Sequence, residues 1–283
     1  MRLMRVGAHV SIAGSLDLAI DRAVEIGAQC IQIFGSAPQQ WQFLLFPQDQ
    51  ISLFKQKARK HEISPIFVHS IYLINLASEN PYILTNSITS ITQYLKFSQE
   101  IGAEGMIFHI GSHKGAGWKA VREQVVGAIS EILKRTKGGD LILENSAGAG
   151  GIIGDKFSEL GEIIKAVKNP RLKVCLDTAH AFESGYAIHK KKGLEKALEK
   201  FDVEIGLERL AAIHANDSKT PFASGLDRHE NIGQGYIGED GFRVIVNHPV
   251  FNHLPFIIET PGFENRGVDR KNLEVLKALA AES

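Results

Sequence analysis

The stretch PIFVH (65–69) decides the fold, together with GMIFH (105–109) and LILE (141–144) further along the chain. Each is a short, continuous apolar run, as expected for a strand of a parallel sheet that is covered on both faces. Five more runs of this kind occur: VGAHV (6–10), CIQIF (30–34), LKVCLD (172–177), LAAIH (210–214) and PFIIE (255–259). The sequence therefore predicts eight buried strands.

Segments of helical type separate the predicted strands. They cover residues 15–27, 49–61, 86–101, 119–135, 155–167, 190–200, 240–247 and 264–281. In SLDLAIDRAVEIGA (15–28) the apolar residues recur on one broad face, and we expect Ser15 at the N-cap and Gly27 at the C-terminal stop. Eight strands that alternate with eight helices over 283 residues predict one α/β domain, residues 1–283, with the (β/α)8 TIM-barrel fold.

Polar residues at strand ends separate this fold from its main alternative, an open doubly wound sheet. Both folds produce the same alternation of strands and helices. From the third run onwards, however, every predicted strand ends in His, Asp or Glu. A closed barrel brings all of these ends to one face, where the active sites of such barrels lie. The closed barrel is therefore the predicted fold.

Composition limits the class of protein. Hydrophobic residues make up 44% of the chain, enough for a sizeable core, and no apolar run approaches the ~20 residues that span a bilayer. The first strand is expected to begin near residue 6, which leaves no room for a signal peptide, so we expect a cytoplasmic protein with no membrane partner. Cys30 and Cys175 both fall within predicted strands and are expected to be small buried residues rather than a disulfide or zinc ligands.

Charge neither indicates nor excludes a nucleic-acid partner, because 32 basic residues balance 32 acidic ones. One long irregular stretch, residues 215–239, is rich in Gly, Asn, Asp and Ser. An ordered loop of this length in a compact domain is usually functional. We therefore expect residues 215–239 to contribute to a functional site.

Nine side chains of metal-ligand type lie at the ends of predicted strands, just after one, or in the long loop that follows the seventh strand. They are His69, His109, Glu144, Asp177, His180, His214, Asp227, His229 and Glu259. A single histidine of this kind would more often be a core residue bonded to a backbone carbonyl, but independent core histidines have no reason to choose the same end of a barrel. Nitrogen and carboxylate donors suit catalytic zinc, with manganese or iron as substitutes.

Nine ligands suit three metal ions, since a catalytic zinc takes about three protein ligands. A carboxylate can bridge two ions, and Glu144 on the central fifth strand is the expected bridge. Clustered zinc ions activate water and stabilise the charge of a phosphoryl displacement, so the predicted chemistry is hydrolysis of a phosphodiester. His9 ends the first strand on the same face, where it either contacts a phosphate or a metal ligand, or simply packs.

Eight sequence segments carry a family resemblance. They are GAHVSIAGSL (7–16), VHSIYLINL (68–76), FHIGSH (108–113), LENSAGAG (143–150), CLDTAHAFESGY (175–186), HANDSK (214–219), DRHENIGQGYIG (227–238) and IIETP (257–261). In this order, and over nearly the whole chain, they resemble the endonuclease IV family of apurinic/apyrimidinic endonucleases. The most specific segments are LDTAHAF, DRHENIG and ETP.

The resemblance implies a barrel that binds three zinc ions. It assigns His69, His109 and Glu144 to one ion. It assigns Glu144, Asp177, His214 and Glu259 to a second, and His180, Asp227 and His229 to a third. The catalytic residues are expected to be Glu144, Glu259 and His109. The family cleaves the phosphodiester on the 5′ side of an abasic site, leaving a 3′-hydroxyl and a 5′-deoxyribose phosphate, and also clears blocked 3′ ends.

Such enzymes bend DNA and flip the abasic sugar out of the stack, which costs least where the base is missing. Tyr72 and Leu73 match the family's wedge pair, although such side chains also pack on barrel rims. The loop after the second strand departs from the pattern, because Gly35, Ser36 and Gln39 replace the Lys-Asn and arginine of many members. Gln39 brings no charge, so we expect lower DNA affinity with a weaker salt dependence.

The expected partner is double-stranded DNA with abasic sites or blocked 3′ ends, bound by Tyr72, Leu73, Gln39 and His9 of a monomeric enzyme. Two alternatives stay open at this point. One is a metal-dependent sugar isomerase on a similar barrel, which holds two metals mainly with carboxylates. The other is a DNA-binding module without catalysis, which the complete ligand set disfavours.

Overall fold

Parallel strands that pair around a closed ring form the centre of the computed structural model, which describes residues 4–281. The strands are β1 (Arg5–His9), β2 (Ile31–Phe34), β3 (Ile66–His69), β4 (Gly105–Phe108), β5 (Asp140–Glu144), β6 (Leu172–Asp177), β7 (Leu210–His214), β8 (Asp217–Ser218), β9 (His229–Glu230) and β10 (Pro255–Ile258). Strands β1 to β7 and β10 form the barrel, while β8 and β9 form a separate antiparallel pair. Because β1 pairs with both β2 and β10, the predicted closed barrel is confirmed and the open sheet is excluded.

Helices connect the barrel strands. They are α1 (Leu18–Ile26), α2 (Gln48–Lys60), α3 (Pro81–Ile101), α4 (Trp118–Lys134), α5 (Phe157–Val167), α6 (Thr178–Glu183), α7 (Lys191–Glu204), α8 (Gly238–Val246) and α9 (Arg270–Ala281). Short 3-10 turns occur at Ala149–Gly151, Leu207–Arg209 and Pro249–Phe251. Every predicted helix is present, and α6 is an addition that follows β6 directly. Within residues 4–281, none of the helices combines the length and the apolar character needed to cross a membrane.

Three helix starts differ from the prediction by three residues or more, and one of them is α9, which begins at Arg270 rather than at residue 264. Helix α3 begins at Pro81 rather than at residue 86, because Asn80 caps it by accepting a hydrogen bond from the Tyr82 amide. The predicted N-cap at Ser15 is wrong: its hydroxyl donates to the Asp17 carboxylate, and α1 begins at Leu18. The predicted stop at Gly27 is confirmed by its left-handed conformation, with a φ of 77°.

A single apolar layer fills the middle of the barrel, separate from the larger core between strands and helices. Its members are Phe67, Ile107, Ile142, Cys175, Ala212 and Ile257 from six barrel strands, and Cys30 from the residue before β2. Both cysteines are free and buried, as predicted, and burial raises the pKa of the Cys30 thiol to about 12. The remaining barrel strand, β1, contributes Gly7 to this level of the barrel. Because Gly7 has no side chain, β1 and β2 can approach closely.

The close approach at Gly7 generates a stability prediction. A methyl group added there would lie 1.7 Å from the carbonyl oxygen of Cys30, so β1 would have to move away from β2. We expect Gly7→Ala to lower the free energy of unfolding by about 1–3 kcal/mol, measured by urea denaturation at a fixed metal concentration.

Gly127→Ala is the matched control for Gly7→Ala. Gly127 lies in α4, and within the described part of the chain an added methyl group there would meet no heavy atom within 4 Å. This substitution should raise the stability by about 0.5–1 kcal/mol, because glycine is a poor residue in a helix interior. Equal stability of Gly7→Ala and the wild type would show that β1 and β2 are not packed this tightly.

Candidate metal centre

A ring of polar side chains lines the carboxyl-terminal mouth of the barrel, one from each of its eight strands or from the residue that follows it. Side chains alternate between the faces of a strand, so the residue two positions after the apolar layer also faces inward. The ring consists of His9, Gln32, His69, His109, Glu144, Asp177, His214 and Glu259. The apolar layer forms the floor beneath these polar groups and separates them from the opposite end of the barrel.

Glu144 lies at the centre of the site, with 1% of its surface exposed. One carboxylate oxygen, Oε2, lies 3.2 Å from His69 Nε2 and 3.4 Å from His109 Nε2. The other, Oε1, lies 3.0 Å from His214 Nδ1 and 3.4 Å from His180 Nδ1. Burial alone would raise the pKa of Glu144, but the surrounding histidines, His109 and His214 foremost, outweigh it and hold that pKa well below its usual range.

Backbone carbonyls orient two of these histidines. His69 Nδ1 lies 2.8 Å from the carbonyl oxygen of Ser70, and His180 Nδ1 lies 2.9 Å from that of Asn145. A carbonyl oxygen can only accept, so each Nδ1 carries a proton, and each ring, in the neutral form that metal ligation requires, directs the Nε2 lone pair into the site. This is the arrangement in which proteins hold metal-ligating histidines.

The Nε2 atoms of these histidines face further acceptors, which is repulsive unless a cation or a second ring proton lies between them. His69 Nε2 faces Glu144 at 3.2 Å, and His180 Nε2 faces Asp227 Oδ1 at 3.3 Å. Among the described residues, Nε2 of His180 and Nε2 of His229 are buried polar atoms without a hydrogen-bond partner. Orphaned lone pairs beside buried carboxylates fit divalent metal ions.

The donor atoms fall into three groups, each with its atoms within 4.8 Å of one another. The groups are His69, His109 and Glu144; Glu144, Asp177, His214 and Glu259; and Asp177, His180 and His229. Asp227 Oδ1 joins the last group at 3.5 Å from His229 Nε2, although half of its side chain is exposed (50%). The structure thus brings all nine predicted ligands together, and it also places Asp177 beside the third group.

Tyr72 stands above this centre, with 61% of its surface exposed. Its ring centroid lies 5.6 Å from that of Phe34 and 6.5 Å from that of His69. It lines two cavities that both reach His109 and His180, one of about 990 Å³ and one of about 440 Å³. A wedge at this position would therefore act directly over the donor groups.

The other three predicted DNA contacts differ in their surroundings. Leu73 is half-buried and packs against the main core, while Gln39 is exposed on the loop after β2. His9 Nδ1 lies 3.0 Å from Glu259 Oε1, so this histidine contacts a predicted ligand rather than only packing. Burial lowers the pKa of His9 despite the neighbouring carboxylate.

Several residues of the site were not predicted from the sequence. Gln32 is fully buried in the mouth ring, and the alternation of CIQIF is the signal that could have revealed it. Asn216 donates from Nδ2 to Asp177 Oδ2 at 2.7 Å, and its Oδ1 accepts from the Glu259 amide at 2.8 Å. It therefore links the Asp177 carboxylate at the end of β6 to the backbone of Glu259, the residue that follows β10.

Asp217 organises the long loop that carries Asp227 and His229. Its carboxylate accepts hydrogen bonds from the backbone amides of Gly233 at 2.9 Å, Gly235 at 3.0 Å and Ile237 at 2.9 Å. These bonds tie the far end of the loop to β8, which pairs with β9 at His229 and Glu230. The position of the third donor group thus depends on a buried acid outside it.

Comparison with known proteins first defines the class of fold to which the chain belongs. Residues 20–279 match the family model described as xylose isomerase-like TIM barrel. The crystal structure of a D-tagatose 3-epimerase-like protein superposes with a TM-score of 0.76 at 21% identity, covering 99% of each chain, a likeness of fold alone.

Relatives of higher sequence identity define the family within this class of fold. The chain is 42% identical over 276 residues to a probable endonuclease 4 of Halothermothrix orenii, covering 97% of this chain and 99% of the relative. It is 39% identical over 279 residues to that of Persephonella marina, covering 98% and 97%. The crystal structure of endonuclease IV from Thermus thermophilus has a TM-score of 0.87 at 31% identity and covers 99% and 100%. The chain therefore belongs to the endonuclease IV family.

The amide contacts of Asp217 generate a prediction. Asp217→Asn replaces one acceptor oxygen with an amide donor, which leaves some of the loop amides without a partner. We expect the free energy of unfolding to fall by about 1–3 kcal/mol, measured by urea denaturation, and the metal content per chain to fall as the third donor group loosens. Asp240→Asn removes the same charge from an exposed position in α8 and should change stability by less than about 1 kcal/mol. Identical behaviour of the two variants would contradict the role of Asp217.

Proposed function

We propose that this protein incises DNA at abasic sites with the help of three zinc ions. It would cleave the phosphodiester on the 5′ side of the lesion, leave a 3′-hydroxyl and a 5′-deoxyribose phosphate, and also clear blocked 3′ ends. The observation that carries the proposal is the complete set of nine donors around the buried carboxylate of Glu144, in a chain whose relatives are named endonuclease 4.

The donor groups suggest which residues hold each ion. His69, His109 and Glu144 would hold the first. Glu144, Asp177, His214 and Glu259 would hold the second. His180, Asp227 and His229 would hold the third, with Asp177 close to it. Manganese or iron are possible substitutes, because the same donors suit both metals.

Divalent ions at such a centre supply a water of lowered pKa as nucleophile and neutralise the charge that develops on the cleaved phosphate. Glu144, Glu259 and His109 are the catalytic residues in this proposal. Glu144 aligns the two sides of the centre because each of its oxygens faces a different pair of histidines. Glu259 and His109 border the larger cavity, where the scissile phosphate would enter.

The chain's own surface around the centre suits an extrahelical sugar. The larger cavity, about 990 Å³, is lined by apolar side chains such as Phe34 and Leu44 and by the charged side chain of Arg228. Apolar walls accept a sugar without its base, and a guanidinium at the edge can contact a DNA phosphate. The ring of Tyr72 is exposed and would fill the space that the missing base leaves in the stack.

One experiment tests the proposal through the wild type and Glu144→Gln. The wild type should contain about three zinc ions per chain by elemental analysis and should incise a duplex with one abasic site, but leave aldose sugars unchanged. Glu144→Gln removes the central negative charge, so kcat/KM should fall by orders of magnitude. Isomerisation of a sugar without incision would favour the sugar-isomerase alternative, and DNA binding without incision the non-catalytic one. Retention of more than about a tenth of kcat/KM, under ~1.4 kcal/mol, would remove Glu144 from the centre of the mechanism.

Recognition of the lesion gives a separate prediction. Tyr72→Ala should weaken binding to abasic duplex by about 1–3 kcal/mol, the scale of a lost stacking contact, at one fixed salt concentration. Tyr72→Phe is the matched control, because it keeps the ring and should bind like the wild type. Leu73→Ala removes packing against the core as well, so its binding must be compared with its stability. If Tyr72→Ala binds as tightly as Tyr72→Phe, the ring is not the wedge.

A further inference from the structure

Gln32 is the one member of the mouth ring that neither the family resemblance nor the donor groups assign to a role. It lies on β2, is 0% exposed, and comes two residues after Cys30 of the apolar layer. The preceding and following residues, Ile31 and Ile33, face the main core. A polar amide at an inward position of such a strand requires partners, since a buried amide without hydrogen bonds is costly.

Every side-chain contact recorded for Gln32 is with another member of the ring. Its Nε2 donates to Glu259 Oε1 at 2.6 Å and also lies 2.9 Å from His9 Nδ1. Its Oε1 lies 2.8 Å from His214 Nε2. The amide therefore connects residues of β1, β7 and the end of β10, and its role goes beyond the pairing of its own strand.

The chemistry of these partners fixes the amide's orientation. An ionised carboxylate only accepts hydrogen bonds, so the NH2 group must face Glu259 and the carbonyl oxygen must face His214. His214 must then carry its proton on Nε2. The lone pair of the neutral ring is left on Nδ1, which points at Glu144 Oε1, 3.0 Å away, and at Glu259 Oε2, 3.5 Å away.

Gln32 also determines which carboxylate oxygen of Glu259 faces His214. Together with His9, it contacts the Oε1 atom of Glu259. The second oxygen, Oε2, is left to face His214 Nδ1. The Gln32 amide thus leaves one potential metal-ligating atom free on each of two residues of the second group: Nδ1 of His214 and Oε2 of Glu259.

We propose that Gln32 is a positioning residue of the metal centre: it selects the Nδ1-presenting form of His214 and the orientation of Glu259, and so sets the affinity of the ion that these two residues share. This inference rests on the proposed function, because it presupposes a metal ion at the second donor group. Hydrogen bonds of this kind to ligating residues typically account for 10- to 100-fold in metal affinity.

Gln32→Met tests the inference, since methionine has a similar length and volume but neither donates nor accepts a strong hydrogen bond. Titration of the zinc-loaded protein with a competing chelator should show one of the bound ions held 10- to 100-fold more weakly than in the wild type. Gln29→Met is the matched control. Gln29 precedes β2 at the opposite end of the barrel, is exposed, and accepts a hydrogen bond from the Val6 amide. Its zinc affinities should equal those of the wild type.

Two further measurements separate positioning from packing. After complete chelation, Gln32→Met should melt close to the chelated wild type, whereas the rise in Tm on adding zinc should be smaller. With cobalt(II) in place of zinc, its visible absorption should differ from that of the wild type, and that of Gln29→Met should not. An equally large loss of Tm with and without zinc would assign Gln32 to packing and overturn the inference.

The inference and the proposed function fail in different ways. A wild type without bound zinc and without incision would defeat the proposed function. A wild type that binds about three zinc ions and incises abasic DNA, beside a Gln32→Met variant with unchanged zinc affinities and an unchanged cobalt spectrum, would defeat the positioning role alone.

Discussion

The contact of one buried carboxylate with four imidazole rings is the interaction on which the rest of this structure depends. Glu144 is removed from water, and its oxygens lie within 3.4 Å of nitrogens from His69, His109, His180 and His214. A buried negative charge is tolerated only with compensating cations and hydrogen bonds. Because the other buried carboxylates add negative charge, the site demands positive charge. Metal ions would satisfy that demand and leave the histidines neutral, as ligation requires.

Barrel closure turns this electrostatic demand into a defined geometry. Each strand alternates its side chains, and the eight strands register so that one apolar inward layer is followed by one polar inward layer. The apolar layer shields the polar ring from solvent at the opposite end of the barrel. Donors that are far apart in sequence, such as His69 and Glu259, therefore share one small volume without a long loop to bring them together.

The parts of this arrangement that the sequence predicted are those that depend on local pattern. Apolar runs ending in His69 or Glu144 indicated the strands and also placed these two side chains in the barrel mouth, because the carboxyl ends of parallel strands meet there. Gln32 was not predicted, since glutamine is neither a typical ligand nor out of place on a surface, although the alternation of CIQIF could have placed it on the inward face. The role of Asp217 was also not predicted: its partners are backbone amides of a loop, which leave no trace in side-chain identity. The early start of α3 follows from the cap at Asn80, a local signal that apolar periodicity does not detect.

The centre combines two kinds of support. The first two donor groups come from barrel strands and from the residues that end them, and amides such as Gln32 and Asn216 join these strands across the mouth. The third group comes from α6 and from the long loop, and its Asp227 is half exposed. The donors on the strands form a rigid set that would keep metal ions in place. The donors of the third group lie on the loop at the edge of the site. They can adjust to the backbone of a DNA substrate, whose shape is deformable.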